Sequence, residues 1–187
     1  MSDADRAKWD ERYRSKGPES SEPLAFLTSL ELPEPGRALD VAGGAGRNAI
    51  WLARRGWQVT IVDVSPQGLA LARAAAPDLA LQIICADLER APLPPGPFDL
   101  VVSSYFLRRE LFPAFPAVLA PGGRLVYVQP TRSNLQRHAR PPAGFLLDDG
   151  ELPSLVRDLE TVSYEEGWFG EGDEARHEAR LVARKRP

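Results

Sequence analysis

The chain has 187 residues, enough for one domain with its own core, and its 43% hydrophobic and 26% charged residues are the balance expected of a soluble globular protein. No apolar run approaches the ~18 residues of a membrane span, and the charged N-terminus MSDADRAKWDERY lacks the apolar stretch of a signal peptide. A net charge of −3 argues against a dedicated nucleic-acid surface, and a lone cysteine, Cys85, makes no internal disulfide, so a cytoplasmic location is expected.

Residues 4–14 carry a helical pattern, with Trp9 and Tyr13 on one face. A polar, proline-bounded loop (16–23) leads to a short apolar helix over 24–30, ended by LPEPG. Alternation then begins. Residues 38–42 read as a buried strand, 48–55 as a helix closed by Gly56, and 58–64 as a second strand. Ser65 and Pro66 supply an N-cap and a first-turn proline for a helix to about Ala76. Residues 81–88 and 98–106 are the third and fourth expected strands, and 111–119 a helix shortened by Pro113 and Pro116. After the turn Pro121-Gly122-Gly123, residues 124–129 make the fifth strand. This rhythm predicts a parallel sheet covered on both faces. A helix over 151–159, with Leu152, Leu155, Val156 and Leu159 on one stripe, then precedes two strands, 160–168 and 175–185. Their connection is too short for a crossover helix, so they pair antiparallel. The expected fold is therefore α/β, a Rossmann-like three-layer sandwich whose seven-stranded, mostly parallel sheet ends in an antiparallel hairpin.

The first strand runs into Asp40-Val-Ala-Gly-Gly-Ala-Gly46, and a helix starts at once. Such a junction brings bare backbone against a ligand and points a helix N-terminus at it. Residues 44–49 also satisfy G-x-G-x-x-G/A, with Asp63 seventeen residues past Gly46, so an NAD(P)-binding oxidoreductase is one reading. Three features point away from it. There is no room for a separate substrate domain, Asp87 adds an acid at the end of the third strand, and the terminal hairpin is foreign to the dinucleotide fold. A cofactor-binding module without turnover stays open on these residues alone.

Asp-x-Ala-x-Gly-x-Gly, acids ending the second and third strands, and the reversed hairpin together resemble the class I S-adenosylmethionine-dependent methyltransferases. KWDERY, ALDVAGGAGRNAIWLARRGWQVTIVDVSP, LAPGGRLVYVQ and RHEARLVARK look more narrowly like the small bacterial tellurite-resistance and thiopurine methyltransferases. The resemblance implies S-adenosyl-L-methionine as methyl donor, S-adenosyl-L-homocysteine as product, and a small-molecule acceptor. It further implies no nucleic-acid or membrane partner and a monomer or homodimer. Residues 1–30 would be an N-terminal helical lid segment and 31–187 the methyltransferase domain, in one compact body. By position, Asp40 and the backbone of Ala42, Gly43, Gly44 and Gly46 would surround the methionine part. Asp63, with Val64 beside it, would take the ribose hydroxyls, Asp87 the adenine amino group and Leu88 the ring, and Ser103 joins the cofactor set. Ala42 departs from the usual glycine, and alanine is expected to keep the turn only if its φ is negative.

Each residue also has a plain structural role open to it. Asp40 would hold loop amides, Asp63 and Asp87 would sit at turns, and Trp9 and Tyr13 would only pack their helix. Tyr105 and Phe106 are expected to line the acceptor side, with Tyr13. Arg137 and His138 lie in the loop 131–145, which with Arg132 and Arg140 either recognises an anionic acceptor or is simply solvated. His177 begins the last strand at the ligand edge and, with Tyr105, is the candidate catalytic group; a surface histidine is the alternative. Direct displacement onto a soft or pre-ionised acceptor needs little help from a base, so a small acceptor of that kind is favoured. Cys85 reads as a small core residue, and no His/Cys spacing suggests a metal.

Overall fold

The computed structural model describes residues 3–18 and 20–187, with side chains from Asp5 onward. Its seven strands are β1 (Arg37–Val41), β2 (Gln58–Asp63), β3 (Gln82–Cys85), β4 (Phe98–Ser104), β5 (Leu119–Pro130), β6 (Glu160–Phe169) and β7 (Arg176–Arg184). They form one sheet in the order β3-β2-β1-β4-β5-β7-β6. β1 through β5 pair parallel, while β7 runs antiparallel to both β5 and β6. The expected architecture holds. Because the parallel strands share one direction, the carboxyl ends of β1, β2 and β4 meet at one edge, where such sheets place ligands.

Both faces are covered, though unequally. On one side α2 (Ala25–Ser29), α3 (Arg47–Ala53) and α4 (Pro66–Ala75) bury Leu27, Leu52 and Ala72 against Ile61, Leu100 and Val126. α1 (Asp3–Lys16) packs outside them on α4, where Asp10 Oδ1 accepts from Ser65 Oγ at 2.5 Å and from the Gln67 amide at 3.3 Å. Ser65 also caps α4, its Oγ accepting from the Gly68 amide at 3.1 Å, with Pro66 in the first turn as expected. The opposite face is closed by a 3-10 segment (Arg109–Ala114), α5 (Phe115–Val118) and α6 (Leu152–Leu155). There Phe112, Phe115 and Tyr127 meet edge to face or tilted, with centroids 4.9 to 6.3 Å apart, over Phe98 and Leu152.

Several expectations need correction. Pro113 lacks an amide hydrogen, so the helix foreseen over 111–119 splits into the 3-10 segment and α5. Only one turn of the 151–159 helix forms; Val156 leaves helical geometry at φ −103, ψ 20, yet Leu152, Val156 and Leu159 are still buried. The β3–β4 connection has no helix, since Pro92, Pro94, Pro95 and Pro97 crowd it. β3 is consequently a short edge strand, and Cys85 on it is exposed rather than part of the core. Leu24, Phe26 and Leu27 belong to the core cluster on the α3 and α4 face of the sheet. Among the described residues no helix is long and apolar enough to cross a membrane.

Candidate functional site

A cavity of about 190 Å³ opens at the carboxyl edge of β1, β2 and β4. Its floor is the turn after β1. Ala42, Gly44 and Gly46 all adopt left-handed backbone, with φ of +53°, +54° and +79°. The negative φ expected of Ala42 is therefore not found: the reversal between β1 and α3 needs this conformation, and alanine accepts it at ~1–2 kcal/mol. At two of these positions a side chain would also have to displace a neighbour. A Cβ on Gly44 would lie 2.1 Å from the Tyr13 hydroxyl, and one on Gly46 would lie 2.8 Å from Ala72 Cβ where α3 meets α4.

Two carboxylates hold the turn. Asp40 is 1% exposed beneath it and does not line the cavity; its Oδ2 accepts from the Ala49 amide at 3.1 Å. Burial pushes its pKa up to about 7. Asp63 does line the cavity. Its Oδ2 accepts from the Gly44 amide at 2.9 Å and its Oδ1 from the Ser65 amide at 2.8 Å. Burial raises the Asp63 pKa, against the opposing pull of the Ser65 and Gly44 amides. Above the turn stand Trp9 and Tyr13, with centroids 6.1 Å apart. Burial, then the charge of Asp63, lifts the Tyr13 hydroxyl to about 12.

The far wall comes from the end of β4. Strand alternation turns Ser103 into the interior, fully buried, and gives the wall to Ser104. The cofactor role expected of Ser103 thus has no access to the cavity. Tyr105 follows at φ +56° and Phe106 beside it, both lining. The Tyr105 hydroxyl donates to Glu178 Oε1 at 2.8 Å, and Arg47 lies over its ring at 5.5 Å. Glu178 is 2% exposed, and its Oε2 accepts from Arg180 Nε and Nη2, both at 3.1 Å. Burial first, and the charge of Glu178 second, raise the Tyr105 pKa, so this phenol is a poor base.

Other expected residues lie off the cavity. Val64 and Leu88 are buried in the body. Asp87 sits two residues past β3; its Oδ1 accepts from the Glu89 amide at 2.9 Å, and Glu89 is the member of that segment lining the cavity. Arg137, His138 and His177 gather instead around Trp168. The Arg137 guanidinium stacks 4.0 Å above its ring, and His138 Nε2 donates to the Ala175 carbonyl at 2.7 Å. His177 meets the ring edge at 5.4 Å, with Nδ1 2.7 Å from Thr131 Oγ1. β7 does begin at the ligand edge, but this ring does not line the cavity. From the 131–145 loop only Phe145 does. Sequence reasoning missed Arg47, Asn48, Ser104, Glu89 and Arg108 as lining residues, and Asp10 and Glu178 behind them. Ser104 could have been found by counting strand parity from Leu100; the others have no local signal.

Residues 38–123 match the methyltransferase domain family. A curated relative, the demethylmenaquinone methyltransferase of Deinococcus radiodurans, is 40% identical over 104 residues, which are 51% of this chain and 43% of that protein. The ribosomal RNA small subunit methyltransferase C of Alcanivorax borkumensis is 35% identical over 114 residues, 54% of this chain and 34% of that protein. The chain thus spans less than half the length of these two relatives. Among solved structures, TehB from Haemophilus influenzae shares the fold with a TM-score of 0.73 at 21% identity, over 97% of this chain and 67% of that one.

Proposed function

We propose that this chain, a class I methyltransferase by its domain match and its sheet order, moves a methyl group from S-adenosyl-L-methionine to a small, soft or pre-ionised acceptor. The observation that carries the reading is Asp63. Its buried carboxylate lines the cavity and is held by backbone amides, and a carboxylate has acceptor capacity that suits two ribose hydroxyls. The left-handed turn Ala42–Gly46 gives the close backbone approach the rest of the donor needs. Residues 87–89 are the proposed adenine side. When bound, the donor supplies the chemistry itself, since its sulfonium carries an activated methyl and a good leaving group.

The protein's own share is alignment and exclusion of water. Trp9 and Tyr13 close one side, and Tyr105, Phe106 and Phe145 the acceptor side. Neither residue foreseen as a base is placed for that role: the Tyr105 hydroxyl donates a hydrogen bond to Glu178, and His177 lies off the cavity against Thr131 and Trp168. An acceptor that arrives ionised, such as a thiolate or chalcogen anion, needs none. Asp40 serves as the anchor of α3 beneath the turn. A small acceptor rather than a nucleic acid fits the net charge of −3. A reducing cytoplasm and a monomer or homodimer complete the reading.

A thermal-shift panel of S-adenosylmethionine, S-adenosylhomocysteine and NAD tests it. Ligand at 100 times its dissociation constant adds ~2.7 kcal/mol, worth roughly 5–10 °C in a chain of this size. Stabilisation by NAD alone overturns the reading. A labelled-methyl screen of small thiols and chalcogen anions beside ribosomal RNA then separates acceptor classes; label in the RNA alone refutes the small acceptor.

A further inference from the structure

We infer that Asp149, Glu166 and His177 form a binding site for one first-row divalent metal ion, outside the cavity described above. Their ligand atoms, a carboxylate oxygen from each acid and one ring nitrogen, all lie within 4.8 Å of one another. Three separate segments deliver them: the loop after Leu147, β6 and β7. Two of those are rigidly paired, with Trp168 opposite His177 and Glu166 opposite Ala179, so Glu166 and His177 share one sheet face.

Charge supplies the independent argument for a cation. The chain is rich in arginine, and the neighbouring acids use it: Asp148 pairs with Arg132, Glu151 with Arg109, Glu160 with Arg184 and Glu178 with Arg180. Among the described residues, Asp149 and Glu166 have no Lys or Arg partner, although their carboxylates converge on each other. A dication placed between the two carboxylates would meet both negative charges at once.

The surroundings are those of ligands held in place. Ser133 donates to Asp149 through its amide at 3.1 Å and its hydroxyl at 2.6 Å. The Gly150 amide, at 2.9 Å, and the Tyr164 hydroxyl donate to Glu166. Thr131 Oγ1 fixes the imidazole at 2.7 Å. Such outer partners orient metal ligands. One imidazole and two carboxylates suit Mn(II) or Zn(II) better than the all-oxygen cage calcium prefers. Metal–ligand bonds of about 2.1 Å bring ligand atoms to roughly 3.4 Å apart, so the three would close by at most about 1.4 Å around the ion. Asp149 lies four residues beyond Phe145, so the ion would pin to the β6–β7 hairpin the segment that reaches the cavity wall. The inference stands whether or not the methyltransferase reading does.

Mn(II) titrated into chelator-treated full-length protein, followed by its EPR signal, is the test, with Zn(II) as competitor. One ion per chain is expected, displaced by Zn(II), together with a raised thermal midpoint. Glu166→Gln keeps the shape and an acceptor for Gly150, and should weaken binding by about tenfold or more with its metal-free midpoint near wild type. Asp149→Asn, in a different segment, gives the same readout if Glu166→Gln does not fold. The inference is overturned if the wild type binds no stoichiometric ion, or if Asp149→Asn, Glu166→Gln and His177→Ala bind it as the wild type does.

Discussion

Asp40→Asn should change how stability depends on pH more than it changes stability itself. Asp40 is buried beneath the glycine turn, and its pKa rises from 3.8 to about 7 chiefly because burial penalises the charged form. The folded state thus binds a proton the unfolded state has released, so the stability linked to this group is complete below pH 3.8 and is lost as pH climbs through about 7. Between about pH 4.5 and pH 8 this single linkage removes ~3 kcal/mol, or roughly 6–12 °C in midpoint. Asparagine keeps an oxygen for the Ala49 amide and carries no charge at any of these values. Urea denaturation of ligand-free protein across that range, for wild type and Asp40→Asn, brings out the effect because titrating groups not coupled to Asp40 cancel in the difference. The variant should gain on the wild type steadily as pH rises. Parallel profiles would refute the claim that burial raises the Asp40 pKa in the folded protein.

Asp63→Ala should lower S-adenosylmethionine affinity by about a hundredfold, the loss of two hydrogen bonds to a charged acceptor, while the protein still folds; calorimetric titration with unchanged affinity would remove Asp63 from the ribose site. Ala42→Gly relieves a left-handed alanine and should raise stability by about 1 kcal/mol in chemical denaturation; a loss of stability would mean that φ there is negative in solution. Ser65→Ala removes both the α4 cap and the partner of Asp10, and should cost ~1–2 kcal/mol; an unchanged midpoint would mean α1 is not docked as described.

What the sequence revealed and what it hid divide along local and non-local lines. The Ser65-Pro66 cap and the turn after β1 are written in adjacent residues, and the antiparallel end followed from a connection too short for a crossover. Cys85 was misplaced because its burial depends on strand order: only when β3 is known to be an edge does exposure follow. The stripe Leu152, Val156 and Leu159 is buried as its spacing implied, but most of it is held by irregular backbone, since periodicity reports a face and not a hydrogen-bond pattern. Ser103 failed for Ser104 by one step of strand parity. Arg137, His138 and His177 turned to Trp168, an attraction to its ring that no spacing announces. Asp149, Glu166 and His177 come from three segments and carry no motif.

The exposure of Cys85 bears on how this protein must be handled. A solvent-accessible thiol that is the chain's only one, on a four-residue edge strand, offers a single point for maleimide chemistry. The same thiol lets two copies become covalently joined in air. A species of doubled mass seen without reductant therefore reports oxidation, and subunit assembly has to be weighed with the thiol reduced or replaced by serine.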